Sequence, residues 1–413
     1  MATEEKEKHD PIAALRFKEF RFYILGRFFL TTAVNFQAVC VGWQVYELTK
    51  DPLSLGLIGL AEAIPYILIA LFAGYVVDHY DRRKVLMTAI SVLILSSALL
   101  FFFSFDEKRL LAFGTVPIYG LIFITGLARG FISPSMFAIM SQVVPKKVFA
   151  NSSTWNSTIW QIGAVGGPAI GGFVYGFFGV AKAYLLNTFL FSLSFLFFSF
   201  IATRAILKSE KVESLKESLT AGLHFVFKNQ LLLSALSLDL FAVFFGGAVA
   251  LLPMFADQIL HVGPKGLGVL RSAPAIGALL MAVILTLKPL HKSAGKKLLY
   301  AVALFGLSSI AFSLSKNFYL SIFFLALGGA FDNISVVIRT TIVQTETPDH
   351  MRGRVSSVNS IFIGSSNEIG AFESGFAARL LGLVPSVIFG GSITLLVTAI
   401  TAKFAPKLRN LTL

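Results

Sequence analysis

The chain has 413 residues, of which 55% are hydrophobic and only 14% charged, with a formal net charge of +13 and a mean hydropathy of +0.77. An ordinary soluble domain is about 25% charged, so this composition excludes a chain of two or three soluble domains. A spanning helix takes roughly 20 apolar residues, and the length accommodates about twelve of them with short loops and no large soluble domain.

Residues 1–21 form a charged tail of mixed sign. The apolar run behind it is too long for a signal-peptide core and lacks a small-residue cleavage site, so it reads as a retained first span. Apolar spans are expected at 22–46, 53–77, 85–104, 113–141, 152–178 and 181–203. A polar stretch, 204–228, follows. Its Leu215, Leu219, Leu223 and Phe227 recur every four residues, the pattern of an amphipathic helix lying on the membrane surface. Six more spans are expected at 230–258, 265–287, 297–315, 317–341, 353–378 and 383–404. The expected fold class is all-α, a polytopic membrane protein with twelve transmembrane helices in two pseudo-symmetric six-helix bundles. The bundles are residues 22–203 and 229–405, with a cytoplasmic tail at 1–21, a cytoplasmic connector at 204–228 and a second tail at 406–413.

Charge placement orients this layout. With the N-terminus inside, 24 of the 35 Lys and Arg residues fall in inner segments and seven in outer loops. Four more, Arg27, Arg129, Arg271 and Arg339, lie inside spans. Cytoplasmic loops are the ones enriched in Lys and Arg, so both termini are expected in the cytoplasm. The basic balance then needs no nucleic-acid partner. The single cysteine, Cys40, lies in an apolar run and reads as a small buried hydrophobe.

The chain repeats itself. Pro145 to Phe173 can be laid on Pro348 to Phe376, so that Pro145, Ser153, Asn156, Ser157, Gly172 and Phe173 meet Pro348, Ser356, Asn359, Ser360, Gly375 and Phe376. The same offset sets Arg129 on Asp332. Transporters built from duplicated halves bind substrate near the midplane, between the repeats.

Two motifs carry more. The loop after the second span runs Gly74-Tyr-Val-Val-Asp78-His-Tyr-Asp-Arg82-Arg83-Lys84. An acid at the end of a span, followed by cations, can make charge-assisted bonds and meet helix termini. The fifth span holds Gly163-Ala-Val-Gly166-Gly167-Pro168-Ala-Ile-Gly171-Gly172. Small residues at four-residue spacing let membrane helices approach closely, and Pro168 removes a backbone bond.

The first motif resembles the cytoplasmic gating motif of the major facilitator superfamily. Gly74, Asp78, Arg82, Arg83 and Lys84 fit its pattern, while His79 stands in place of an Arg and Asp81 in place of a Gly. The second resembles the superfamily's fifth-helix motif of exporters and antiporters, on Gly163, Gly167, Pro168, Gly171 and Gly172. Trp43 to Pro52, Leu55 to Ala61, Gln344 to Pro348 and Arg352 to Val355 are similar to the enterobactin- and macrolide-exporter branch. The resemblance covers about residues 15–405 and implies a secondary active transporter in the cell (inner) membrane.

Ionisable residues inside spans cost about 2.5–3.5 kcal/mol each on insertion scales, so each needs a reason. Glu62 lies deep in the second span, followed by Pro65, with no cation within a helical turn in sequence. It is the candidate proton carrier. Arg129 is a partial match to the superfamily's fourth-helix arginine motif, and the repeat makes Asp332 its expected partner. Asp239 and Glu368 are cavity candidates. Glu373, near the outer end, is expected to be hydrated, and Arg27 is expected to snorkel to the inner surface. The Phe residues, 42 in all, read as lipid-facing or packing groups.

No Walker loop, HExxH or GxSxG sequence occurs, and no two His residues stand at metal-ligand spacing within a span. No catalytic residue, cofactor or metal is therefore expected, and the chain reads as no enzyme. The expected function is proton-coupled export of a small amphipathic, drug- or siderophore-like molecule by a monomer that alternates access across the bilayer. An importer or a lipid or lysolipid transporter on the same fold is the alternative. A membrane enzyme or receptor would need a catalytic constellation or a large exposed loop.

Overall fold

The computed structural model of the protein describes residues 10–106, 113–203, 215–287, 293–348 and 351–412. Helix α1 (Lys18–Thr49) ends where Lys50 takes a left-handed conformation, φ 50°. Two residues later α2 (Pro52–His79) starts, with Pro52 in its first turn and the Asp51 carboxylate accepting from Ser54 N. Both are standard helix-start devices. Asp81 caps α3 (Arg82–Phe105) in the same way, accepting from Arg83 N and Lys84 N. Next comes α4 (Val116–Val143).

Helix α5 (Phe149–Ser199) is 51 residues long and is broken by Gly179 at φ 83°, ψ 170°, a backbone conformation open to glycine. The chain reverses there. Before it, Gly163, Gly167 and Gly171 meet Thr31, Thr32 and Phe36 in ascending order along α1. After it, Tyr184, Asn187 and Ser194 bond to Gln44, Gln37 and Gly26 in descending order. The two arms of α5 therefore both flank α1. A surface helix, α6 (Leu215–Lys228), leads to α7 (Gln230–Gly246).

The seventh span was expected as one helix over 230–258, but α7 stops at Gly246. Short turns at Ala248–Leu251 and Leu252–Met254 and a π-turn at Phe255–Ile259 complete it. Gly246, Gly247 and Pro253 account for the break. Carbonyls freed inside a membrane need new partners, and Ser309 Oγ donates to Gly246 O at 3.3 Å and Ser374 Oγ to Gly247 O at 3.0 Å. The chain ends with α8 (Gly263–Leu287), α9 (Ala294–Leu314), α10 (Phe318–Glu346), α11 (Arg352–Leu381), α12 (Leu383–Phe404) and the short α13 (Pro406–Arg409).

Among the described residues, ten segments are long and apolar enough to cross a membrane. This differs from the expected twelve in two places. The two arms of α5 form one continuous segment, and α11, which carries Arg354, Glu368, Glu373 and Arg379, is not among the ten.

The helices pair with a repeated pattern. In α1–α5, α2 packs on α4, and α3 on α4 and α5; in α7–α12, α8 packs on α10, and α9 on α10 and α12. Two crossings, α2 with α11 and α5 with α8, join the groups. One core is shared by both groups at the end that carries residues 50, 179, 263 and 382; it holds Phe36, Tyr46 and Tyr184 together with Leu252, Leu267 and Phe312. At the opposite end, near both chain termini, each group has its own core: Phe20, Ile90, Met140 and Phe198 in one, Leu232, Leu298, Ile342 and Leu408 in the other. The groups are thus joined at one end and separate at the other. In α6, Val226 is buried in a cluster with Val355 and Val358 of α11, while Leu223 and Phe227 of the expected apolar stripe are exposed.

Candidate substrate cavity

A cavity of about 390 Å³ lies between the two groups. Its wall is largely apolar and glycine-rich, with Gly42, Gly59, Gly246, Gly328 and Gly329 among its residues. Five charged side chains line it: Glu62, Arg129, Arg271, Asp332 and Glu368.

Packing places them. A Cβ on Gly126 of α4 would lie 2.6 Å from Glu62 O and 2.8 Å from Pro65 Cγ, so only glycine lets α4 lie this close to α2. One turn further along α4, Arg129 then reaches Glu62, and the two form an ion pair. This corrects two expectations. Arg129 pairs with Glu62, not Asp332, and Glu62 has a cation beside it. The repeat matched Arg129 and Asp332 by depth in their halves, whereas pairing follows from which helices touch.

Glu368 is held on α11 close to α2, where a Cβ on Gly59 would lie 2.7 Å from Glu368 O. Arg129 and Arg271 line the same cavity wall as its carboxyl. Arg271 is the charged residue that sequence reasoning passed over. It was counted only as a cation inside a span, and that count was the signal available. Asp332 lines the same cavity from α10 and has no hydrogen-bond or ion-pair partner among the described residues.

Asp239 is elsewhere. Its carboxylate forms an ion pair with Arg339 of α10, with both side chains almost fully buried. It lies outside the cavity wall and fastens α7 to α10. Arg27 likewise does not turn to the membrane surface, since its Nη1 donates to Met136 Sδ of α4 at 3.1 Å.

The glycines of the fifth-helix motif face two ways. A Cβ on Gly163 would lie 2.9 Å from Thr31 Cβ, on Gly167 2.6 Å from Thr32 O, and on Gly171 3.0 Å from Phe36 O, all on α1. Gly172 faces α8 instead, where a Cβ would lie 2.7 Å from Gly268 Cα. Ser272 Oγ of α8 also donates to Val165 O at 2.7 Å. Pro168 is inside the helix between these contacts.

In the loop after α2, Arg83 donates to Ser199 O at 2.5 Å and Thr203 Oγ1 at 3.1 Å, and so ties α3 to the end of α5. Asp81, the departure from the motif, serves as the α3 cap. Arg82 is half-buried and Lys84 exposed. A Cβ on Gly74 would meet nothing within 4 Å. The side chain of Asp78 lies outside the described residues.

Polar contacts span the joined end. Tyr46 OH donates to Asp257 Oδ2 at 2.6 Å, Lys50 Nζ lies 3.2 Å from the same oxygen, and Arg379 lies 3.9 Å from Asp51. Sequence reasoning gave none of these, nor the buried chain in which Asn187 Nδ2 donates to Gln37 Oε1 and Ser97 Oγ.

Comparison with known proteins follows the geometry. Residues 9–411 match the family model described as transmembrane secretion effector. The chain is 25% identical over 400 residues to the multidrug efflux pump Tap of Mycolicibacterium fortuitum, covering 91% of this chain and 92% of Tap. It is also 25% identical over 406 residues to the enterobactin exporter EntS of Shigella flexneri, covering 95% of this chain and 92% of EntS. In fold it is similar to a POT family transporter crystallised with 5-aminolevulinic acid, with a TM-score of 0.75 at 12% identity over 94% of this chain and 96% of that one. The family model takes in almost the whole chain, cavity and both helix groups included, and the chain therefore belongs to the transmembrane secretion effectors of the major facilitator superfamily, as a membrane transporter of small organic molecules and not an enzyme.

Proposed function

We propose that the protein exports a small amphipathic organic molecule in exchange for protons, by alternating access of the central cavity. Counting the arms of α5 separately and including α11 gives twelve spans. We place them as two six-helix bundles, 22–203 and 229–405, with both termini in the cytoplasm of a cell with this protein in its inner membrane. The joined end is then the outer one, and the cavity opens inward.

The observation that carries this reading is the Arg129–Glu62 ion pair in the cavity wall, which Glu368 of the other helix group also lines. A carboxylate in a low-dielectric site holds its counter-cation strongly and releases it when protonated. Protonation of Glu62 frees Arg129 for Glu368, which links α4 of one group to α11 of the other. Proton uptake and the relative position of the groups are thereby connected. The motif residues Gly74, Asp78, Arg82, Arg83 and Lys84 act at the inward end as the gate that closes when the cavity faces out. The similarity to Tap and EntS supports the outward direction.

The test is flux in proteoliposomes that contain a pH-sensitive dye. A panel of amphipathic anions, neutral molecules and cations is offered under an imposed proton gradient. Export by exchange requires substrate to cross the vesicle membrane in one direction while protons cross in the other, and abolition of uphill movement by Glu62→Gln with substrate exchange retained. Uphill transport that survives Glu62→Gln, or flux that ignores the gradient, overturns the coupling.

A further inference from the structure

The charges around the cavity do not balance. Its wall carries two guanidiniums, Arg129 and Arg271, and three carboxyls, Glu62, Glu368 and Asp332. Arg129 is engaged by Glu62, and Asp332 forms no ion pair with either guanidinium among the described residues. Asp332 is left over.

Among the described residues nothing compensates it. One turn before Asp332 on α10, Gly328 stands 3.8 Å from Phe305 and Ser308 of α9, measured from where its Cβ would be. Phe305, Ser308, Pro274, Phe324 and Gly328 all line the cavity with Asp332. Of the elements packed on α10, α9 presents no charge to the cavity, α8 presents Arg271, which forms no ion pair with Asp332 among the described residues, and α11 presents another acid, Glu368. Asp239 of α7 is consumed by Arg339. A carboxylate in such a site is satisfied by a proton or by a cation. Aromatic faces in the same cavity wall, Phe305 and Phe324, add to the attraction for a cation.

We infer that the Asp332 subpocket binds the positive charge of a lipophilic monovalent cation, with Phe305 and Phe324 taking its apolar body, so that the transported class is amphipathic cations. The inference rests on the reading of this cavity as the transport path. The wall as a whole carries one more acid than base, which fits a guest of charge +1 and disfavours an anion of the same shape. Asp332 is thus a specificity-determining residue, and Glu62 and Arg129 are left to the proton.

The test uses two ions of nearly the same shape and opposite charge, tetraphenylphosphonium and tetraphenylborate. Their binding to the purified full-length protein in detergent is measured calorimetrically. The wild type is expected to prefer tetraphenylphosphonium. Asp332→Asn is expected to weaken that ion by about tenfold or more without weakening tetraphenylborate, and Asp332→Glu to restore it. Tetraphenylphosphonium affinity unchanged in Asp332→Asn, or a wild-type preference for tetraphenylborate, overturns the assignment. If Asp332→Asn does not fold, carbodiimide labelling of the wild type decides the matter. Tetraphenylphosphonium is expected to protect Asp332 from labelling, and labelling at the unprotected rate sinks the idea. The two readings fail separately. Binding through Asp332 without proton-driven flux removes the transport reading alone, and proton-driven flux with binding indifferent to Asp332 removes this one.

Discussion

Arg339 and Arg129 are both intramembrane arginines, and their surroundings give them different work. Among the described residues Arg339 has one ion-pair partner, Asp239, and both are almost fully buried. Removal of one member of a buried pair costs about 3–5 kcal/mol, because the other charge stays buried, whereas an apolar pair of similar volume is tolerated. Arg339→Met alone is therefore expected to lower the melting temperature in detergent steeply, and Asp239→Leu with Arg339→Met to recover most of the loss. Arg129 and its partner Glu62 line the cavity. Arg129→Lys keeps the charge but presents a compact ammonium in place of a planar fork, and is expected to impair proton-driven flux while the protein still folds. A proton-release assay beside a thermal melt separates the two effects. The sequence showed that charges sit at depth, because each stands out in an apolar run. Their partners were not legible, since depth along a helix says nothing of its azimuth. Gly126, which brings Glu62 within reach of Arg129, reads in sequence as one small residue among many.

Close approach of helices depends on the glycine row of α5, and the row can be divided by experiment. Gly163→Ala pushes on Thr31 within one helix group. Overpacking of this kind costs about 1–3 kcal/mol, so a lower melting temperature is expected without bias between facing states. Gly172→Val pushes on Gly268 across the groups. It is expected to hold the joined end apart, and spin labels placed on either side of that end would show a longer distance. A labelled Gly172→Val protein with the wild-type distance would contradict the contact. The polar latch at the same end is weaker. Exposed ion pairs are worth about 0–1 kcal/mol, so Asp257→Asn, which removes the negative charge shared by Tyr46 and Lys50, is expected to shift the same distance distribution by a few-fold in population at most. Helix existence was readable from hydropathy throughout. The break at Gly246 was not, because an apolar run of that length reads the same whether or not its backbone is helical.

At the scale of the whole molecule, the repeat and the charge asymmetry made the two-part layout readable, while the crossings of α2 with α11 and of α5 with α8 left no trace in either. Reporter fusions near residues 84, 147, 212, 292 and 352 are expected to report cytoplasm, and fusions near 50, 108, 262 and 316 the opposite side; one misplaced loop would break the proposed span count. The uneven core has a consequence for synthesis. The first group's own core draws only on residues up to Ile201, so it can assemble in the bilayer before α7 has left the ribosome. The shared core needs Leu252, Leu267, Phe312 and Val387 as well as Phe36 and Tyr46, and it cannot close until α12 has begun to enter. In the interval the nascent first group presents Phe36, Tyr46, Leu55 and the Gly172 face of α5 to lipid or to an insertion chaperone. A ribosome arrested once Ile201 has cleared the exit tunnel, with α7 still inside it, should therefore hold a chain already folded at the end that carries Phe20 and Phe198 and still open to crosslinking at the other.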